Sequence, residues 1–350
     1  MSKKRKIAII GHFGGEENYL DGQTVKTKIL YEELLKVTDW KIIKVDTYYK
    51  NKRPVRLMLR TIKVLMSTKD VIVLLSGNGM RFYFPLLYYF SKLFHIKVYH
   101  DVIGGNLDSY IEKIPKFQKY LNDFQYNWVE TEGLKEKLEF KGIKNCEVIP
   151  NFKRLDCIKK EDLVLPEDDV YRFCTFSRVM KEKGIEDAIK AVQAINKENG
   201  RVICTLNIYG LIDEGYKVRF EKIMGKVPDE IKYCGKVPYE KSVETIKKYY
   251  ALLFPTFWRG EGFPGTIVDA FSAGLPVIAT NWSCNGEIVK NKKNGILYPN
   301  EEIKDLKEAM ECLINDPDET MEMKKNCICS AERYRPDEYI EKIVERIGEN

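Results

Sequence analysis

Twelve short apolar runs, rich in Val, Ile and Tyr, alternate with longer stretches of helical periodicity, and this alternation limits the chain to parallel sheets covered by helices. The first six are KIAIIGH, WKIIKVD, DVIVLLS, IKVYHD, YNWVET and CEVIPN. After a polar, charged, Pro-containing stretch over 152–169 come YRFCTFS, VICTLNIYG, IKYCGKV, ALLFPT, PVIAT and GILYP. The pattern predicts two Rossmann-like, doubly wound α/β units, at 1–152 and 170–330. A final amphipathic helix within 331–350 lies past the last strand and is assigned to the surface of the first unit. Open α/β sheets bind ligands beyond the C-terminal ends of their strands, so two such units are expected to face each other across one cleft.

Composition excludes several classes. A net charge of +6 over 350 residues, without dense Lys/Arg blocks, argues against a nucleic-acid partner. The nine cysteines match neither a disulfide framework nor a zinc site, which predicts a reducing, cytoplasmic setting. The apolar run after the basic N-terminus is too short for a signal-peptide core, and no stretch is long enough to span a bilayer.

Chemistry concentrates after two strands of the second unit. In RGEGFPGTIVDAFSAGLPVIAT, a turn carrying Glu261, Gly262 and Phe263 leads through Pro264 into a helix beginning near Gly265, Thr266 and Ile267. Unpaired N–H groups and the positive dipole end make that start an anion site, and Gly262 and Gly265 admit a ligand close to the backbone. Glu261 would accept hydrogen bonds from ligand hydroxyls, and Asp269, eight residues on, from a ribose diol. One ligand with a hexose, a diphosphate and a ribose in series suits that spacing. The competing reading makes Asp269 a solvated helix residue and Glu261 a partner of the helix dipole. In FSRVMKEKGIEDAIKA, Arg178 and Lys183 follow another strand and suit phosphate oxygens, the alternative being two solvated cations.

The ordered set FSRVMKEKG, YCGKVPYE, LFPTFWRGEGFPGTIVDAFSAGLPVIATNW and GEIVKNKKNGILYP resembles the retaining glycosyltransferases of the GT-B fold, family four. The resemblance is strongest over Ser177–Pro299. It implies a nucleotide diphosphate sugar donor and no cofactor, with Glu261 at the first acid position of the E-x7-E signature, contacting the transferred sugar. Asp269 takes the second, ribose-holding position, as Asp where the family has Glu. Arg178 and Lys183 match the basic pair on the diphosphate, Lys236 and Val237 the segment that reads the base, and Gly14 and Gly15 the first-domain turn near diphosphate and acceptor. His100, at a strand end, matches a histidine contacting the donor sugar; a histidine capping the strand is the alternative.

No metal is expected. The D-x-D triplet Asp316-Pro317-Asp318 lies between helices rather than after a strand. Residues 50–69 carry seven cations and no acid, with Arg53, Arg56, Arg60 and Lys63 on one helix side and Met58, Ile62, Leu65 and Met66 on another. Such a helix suits an anionic membrane surface and a glycan or lipid-linked acceptor in polysaccharide assembly; a solvated basic face is the rival. Two other functions compete: a nucleotide-sugar-binding subunit without activity, and a dinucleotide-dependent oxidoreductase, for which the G-x-G-x-x-G spacing is missing.

Overall fold

All twelve apolar runs form strands. In the computed structural model, which describes residues 4–17, 22–299 and 302–349, the first unit contains β1 (Lys6–Gly11), β2 (Lys41–Asp46), β3 (Asp70–Val73), β4 (Lys97–Asp101), β5 (Tyr126–Val129) and β6 (Cys146–Val148). The second contains β7 (Tyr171–Phe176), β8 (Cys204–Tyr209), β9 (Ile231–Tyr233), β10 (Ala251–Phe254), β11 (Val277–Thr280) and β12 (Gly295–Tyr298). The sheet orders are β2-β1-β3-β4-β5-β6 and β12-β11-β10-β7-β8-β9, and every strand pairing is parallel. Strand order therefore reverses between β1 and β3 in one unit and between β7 and β10 in the other. At such a switch point the loops after the two strands leave in opposite directions and open a crevice.

The units comprise Met1–Lys153 with Pro336–Asn350, and Arg154–Arg335. Helix Pro336–Gly348 belongs to the first: Arg346 and Lys342 pair with Glu147 at 2.9 and 3.3 Å, and Tyr339 stacks on Phe152. The connecting stretch packs on the second unit, where the Ile158 N–H donates to the Ser272 carbonyl and Leu163 is buried. Both faces of the second sheet are covered. Phe173 and Leu253 point toward helices Ile185–Glu198 and Ile303–Asn315, while Cys174, Leu252 and Phe254 point toward helix Gly265–Ser272. Asp316 caps helix Pro317–Ala331 by accepting from the Glu319 N–H.

A buried charge cluster ties the first unit together. Lys26, on helix Gly22–Val37, lies 2.6 Å from Asp101 at the end of β4 and 3.0 Å from Glu130 after β5. Burial pulls the Lys26 ammonium down, but Asp101 and Glu130 outweigh it and the net shift is upward. Burial pushes Asp101 up to about 6 against the pull of Lys26. The neighbouring His100 is pushed down to about 3, chiefly by burial.

These last two shifts act oppositely on stability. As pH falls from about 6.5 toward 3, unfolded chains bind a proton that folded His100 refuses, so acid removes stability. Between about pH 4 and 6, folded Asp101 keeps a proton that the unfolded chain has lost, so stability falls as pH rises. The wild type is expected to show little pH dependence from this pair between pH 4 and 6. Asp101→Asn should leave stability rising with pH across that window, and His100→Asn falling, each by about 2–3 kcal/mol. Urea unfolding at pH 4, 5 and 6 checks this; slopes of one sign in both variants contradict it.

Candidate active site

The reversal of strand order in the second unit brings together the two loops that carry the candidate residues. Gly184, after β7, has φ 68°, and a Cβ there would lie 2.1 Å from the Pro255 carbonyl oxygen after β10. Only glycine permits this approach, and it places Lys183 against the β10 loop. The Lys183 ammonium donates to Glu261 Oε2 at 2.5 Å and lies 5.2 and 5.1 Å from the ring centroids of Phe254 and Trp258. Thr256 Oγ1 donates to the same carboxylate oxygen at 2.8 Å. Lys183 and Glu261 are only 8% and 5% exposed, so neither is a solvated surface charge. Arg178 is exposed, and its guanidinium has no partner among the described residues.

Helix Gly265–Ser272 starts beside this pair, with Pro264 in extended conformation at its N-cap. The Thr266 hydroxyl donates to the Phe176 carbonyl at 2.6 Å and pins the helix start to the end of β7. Among the described residues, the Gly265 and Thr266 N–H groups find no backbone acceptor, as expected of a first helical turn. Phe263 and Ile267 turn their side chains into the core, Phe263 against Tyr334, so only their backbone is left to face a ligand. Asp269 is 4% exposed, which removes the solvated reading of it. Lys236 is exposed and Val237 half-buried after β9, where the Gly235 carbonyl accepts from the Gly210 N–H at the end of β8.

In the first unit, Gly14 and Gly15 follow β1 with φ 86° and 60°. Asp46, at the end of β2, accepts from the N–H groups of Phe13, Gly15 and Tyr48, each at 2.9 Å. The Gly15 amide is thus engaged by the protein's own carboxylate. His100 requires correction. It does not open from its strand end: it is fully buried, with Nδ1 3.3 Å from Asn127 and its ring edge-on to Phe84 and Phe124. Strand alternation sets His100 on the face of Val98, which packs under helices, rather than among loops.

Sequence reading missed the residues that hold the site's turn. Four side chains at the end of β11 bond consecutive parts of it: Thr280 to the Thr256 carbonyl, Trp282 to that of Trp258, Ser283 to that of Glu261 and Cys284 to that of Gly262. The motif ATNWSC carries no chemical signature, and its partners lie more than twenty residues away. One local sign is Ser283, whose φ of 51° is rare for a residue other than glycine.

Two Rossmann-like units, one with a carboxylate–ammonium pair beside a helix start at its switch point, define the GT-B class of fold. The chain belongs to the glycosyl transferases group 1 family, whose model matches residues 158–332. It is 24% identical over 188 residues to a lipopolysaccharide 1,6-galactosyltransferase of Escherichia coli, a match covering 52% of this chain and 50% of that protein. Matches to the curated relatives span half or less of their length. Among solved structures, sucrose-phosphate synthase of Thermosynechococcus elongatus aligns at TM-score 0.79 and 14% identity, covering 99% of both chains. Anabaena HepE in complex with UDP aligns at TM-score 0.68 and 13% identity, covering 99% of this chain and 100% of that one.

Proposed function

We propose that this protein is a retaining glycosyltransferase. It moves a hexose-type sugar from a nucleoside diphosphate sugar, with UDP as the favoured base, to a glycan or lipid-linked glycan in cell-surface polysaccharide assembly. The observation carrying this reading is the buried Lys183–Glu261 pair beside the open amides of Gly265 and Thr266. The UDP complex of HepE and the galactosyltransferase relative support it.

In this reading the bond from anomeric carbon to phosphate oxygen breaks with its electron pair leaving on the diphosphate. Negative charge grows there, and Lys183, Arg178 and the two amides stabilise it in place. Lys183 has three N–H donors and gives one to Glu261, which leaves others for phosphate oxygens. Glu261 accepts from a hydroxyl of the departing sugar, Asp269 from the ribose, and the backbone at Lys236 and Val237 meets the base. Gly14 and Gly15 keep the loop after β1 bare of side chains on the acceptor side. The acceptor's hydroxyl oxygen bonds to the anomeric carbon on the face the diphosphate leaves, and its proton passes to the departing phosphate.

A membrane-facing acceptor is supported by helix Pro54–Leu65, which has three faces rather than the two read from sequence. Leu57, Thr61, Val64 and Leu65 enter the core, which separates Leu65 from Met58 and Met66, grouped with it on one side by the sequence pattern. Val55, Leu59 and Met66 stand 72%, 64% and 61% exposed, beside the exposed Arg56, Arg60 and Lys63. Apolar exposure next to cations that form no ion pair among the described residues fits an anionic leaflet on its cytoplasmic side. No helix among the described residues is long and apolar enough to cross a membrane. Phosphatidylglycerol vesicles are expected to sediment the protein and phosphatidylcholine vesicles to leave it free. Replacing Arg56, Arg60 and Lys63 together by Glu should weaken that binding by roughly 100-fold; equal sedimentation of both proteins removes the membrane role.

The reaction is tested with a panel of UDP- and GDP-hexoses. One donor is expected to release its nucleoside diphosphate, and Glu261→Ala to slow that release by at least about 100-fold. A protein that neither binds nor consumes any donor ends this reading.

A further inference from the structure

We infer that Thr256 is a positioning residue for Glu261, holding its carboxylate in one rotamer while Lys183 turns its protons toward the donor. The inference rests on the transferase reading above and concerns a residue that reading does not use. Thr256 sits two residues past β10 and is fully buried. Its hydroxyl has a single proton and two acceptors within reach, Glu261 Oε2 at 2.8 Å and the Glu182 carbonyl at 3.3 Å. The shorter contact is to a carboxylate, and charge-assisted hydrogen bonds are the stronger kind, so the proton belongs to Glu261. The Trp258 N–H, 3.3 Å away, then meets the hydroxyl's acceptor side and fixes its rotation.

The backbone around Glu261 is already fixed. Its N–H donates to the Trp258 carbonyl at 3.1 Å, its carbonyl accepts from Ser283, and the carbonyls of Trp258 and Gly262 are held by Trp282 and Cys284. What stays free is the side chain, whose torsions carry the carboxylate through several ångströms. Both protein donors to that carboxylate, Lys183 and Thr256, land on Oε2. Oε1 therefore has no partner among the described residues and is the oxygen presented for a sugar hydroxyl. Lys183 serves two anions once a diphosphate arrives, so its grip on Oε2 weakens at the moment the geometry matters. Thr256 is assigned no second anion and keeps Oε2 anchored throughout. Thr256 bonds Glu261 and none of the groups assigned to the diphosphate or the base, so its loss is expected to act on the sugar end of the donor.

The test compares Thr256→Val, which keeps the shape and removes the proton donor, with Thr256→Ser, which keeps the donor. For the donor the wild type consumes, kcat of the Val variant is expected to fall roughly 10- to 100-fold, the range for losing a hydrogen bond to a charged group. Its Kd for UDP should stay within about twofold of wild type, and Thr256→Ser should restore kcat to within a fewfold. Should the Val variant not fold, Thr256→Cys keeps the volume with a weaker donor and is expected to show an intermediate kcat. Wild-type kcat in Val or Cys variants overturns the inference, as does a loss of UDP affinity parallel to the loss of kcat. A wild type that consumes no donor takes down the transferase reading and this role together, whereas an active wild type with an indifferent Val variant takes down this role alone.

Discussion

Lys183→Ala is expected to cost donor turnover about 100- to 1,000-fold and, in the same protein, about 3–5 kcal/mol of stability in the second unit. Both losses have one origin. Lys183 and Glu261 share a site from which water is nearly excluded, and their nitrogen–oxygen separation is 2.5 Å. Removing the ammonium leaves a buried carboxylate with, among the described residues, only the Thr256 hydroxyl to oppose it, and an uncompensated buried charge is far costlier than a lost surface ion pair. The double variant Lys183→Met/Glu261→Gln removes both charges at similar volume. It should regain most of the stability and none of the activity. Chemical unfolding alongside nucleotide-release kinetics separates these effects; a single variant as stable as wild type means that the pair is not buried in solution.

Gly184→Ala should be nearly as damaging, although the residue touches no ligand. Its left-handed backbone costs any L side chain about 1–2 kcal/mol, and the added Cβ would overlap the Pro255 carbonyl oxygen. Relief requires the β7 and β10 loops to separate, which draws Lys183 from Glu261. We expect a stability loss of about 3 kcal/mol or more and roughly 100-fold slower turnover. Gly200→Ala is the control: it has a similar φ of 62°, with nothing within 4 Å of the added Cβ. It should show the backbone cost alone and keep its activity. Equal kinetics for the two variants would show that the approach of the two loops does not matter.

The fold was legible because each strand is a short apolar run between helical patterns, and parallel pairing follows from that alternation. Glu261, Lys183 and the helix start stood out as candidates because charged residues and glycines crowd the ends of two strands, and the fold brings the two side chains together. His100 was misread, since a position at a strand end does not reveal which face the side chain takes. The rings that enclose it, Phe84 and Phe124, come from segments elsewhere in the chain. Thr256 and the Thr280–Cys284 clamp escaped for a similar reason: their role lies in hydrogen bonds to a turn that only the folded sheet brings near. Asp46 likewise looks like an ordinary acid after a strand until the amides of Phe13 and Gly15 converge on it. On helix Pro54–Leu65 the charge pattern was readable, but the division of apolar residues between core and surface depends on what the helix packs against.

The most direct measurement is a crystal structure of the protein grown with UDP. The account predicts diphosphate oxygens within hydrogen-bond distance of the Gly265 and Thr266 N–H groups, with Arg178 and the Lys183 ammonium turned onto them and Thr256 still bonded to Glu261. UDP bound away from that helix start, with Lys183 closed on Glu261 alone, would contradict it.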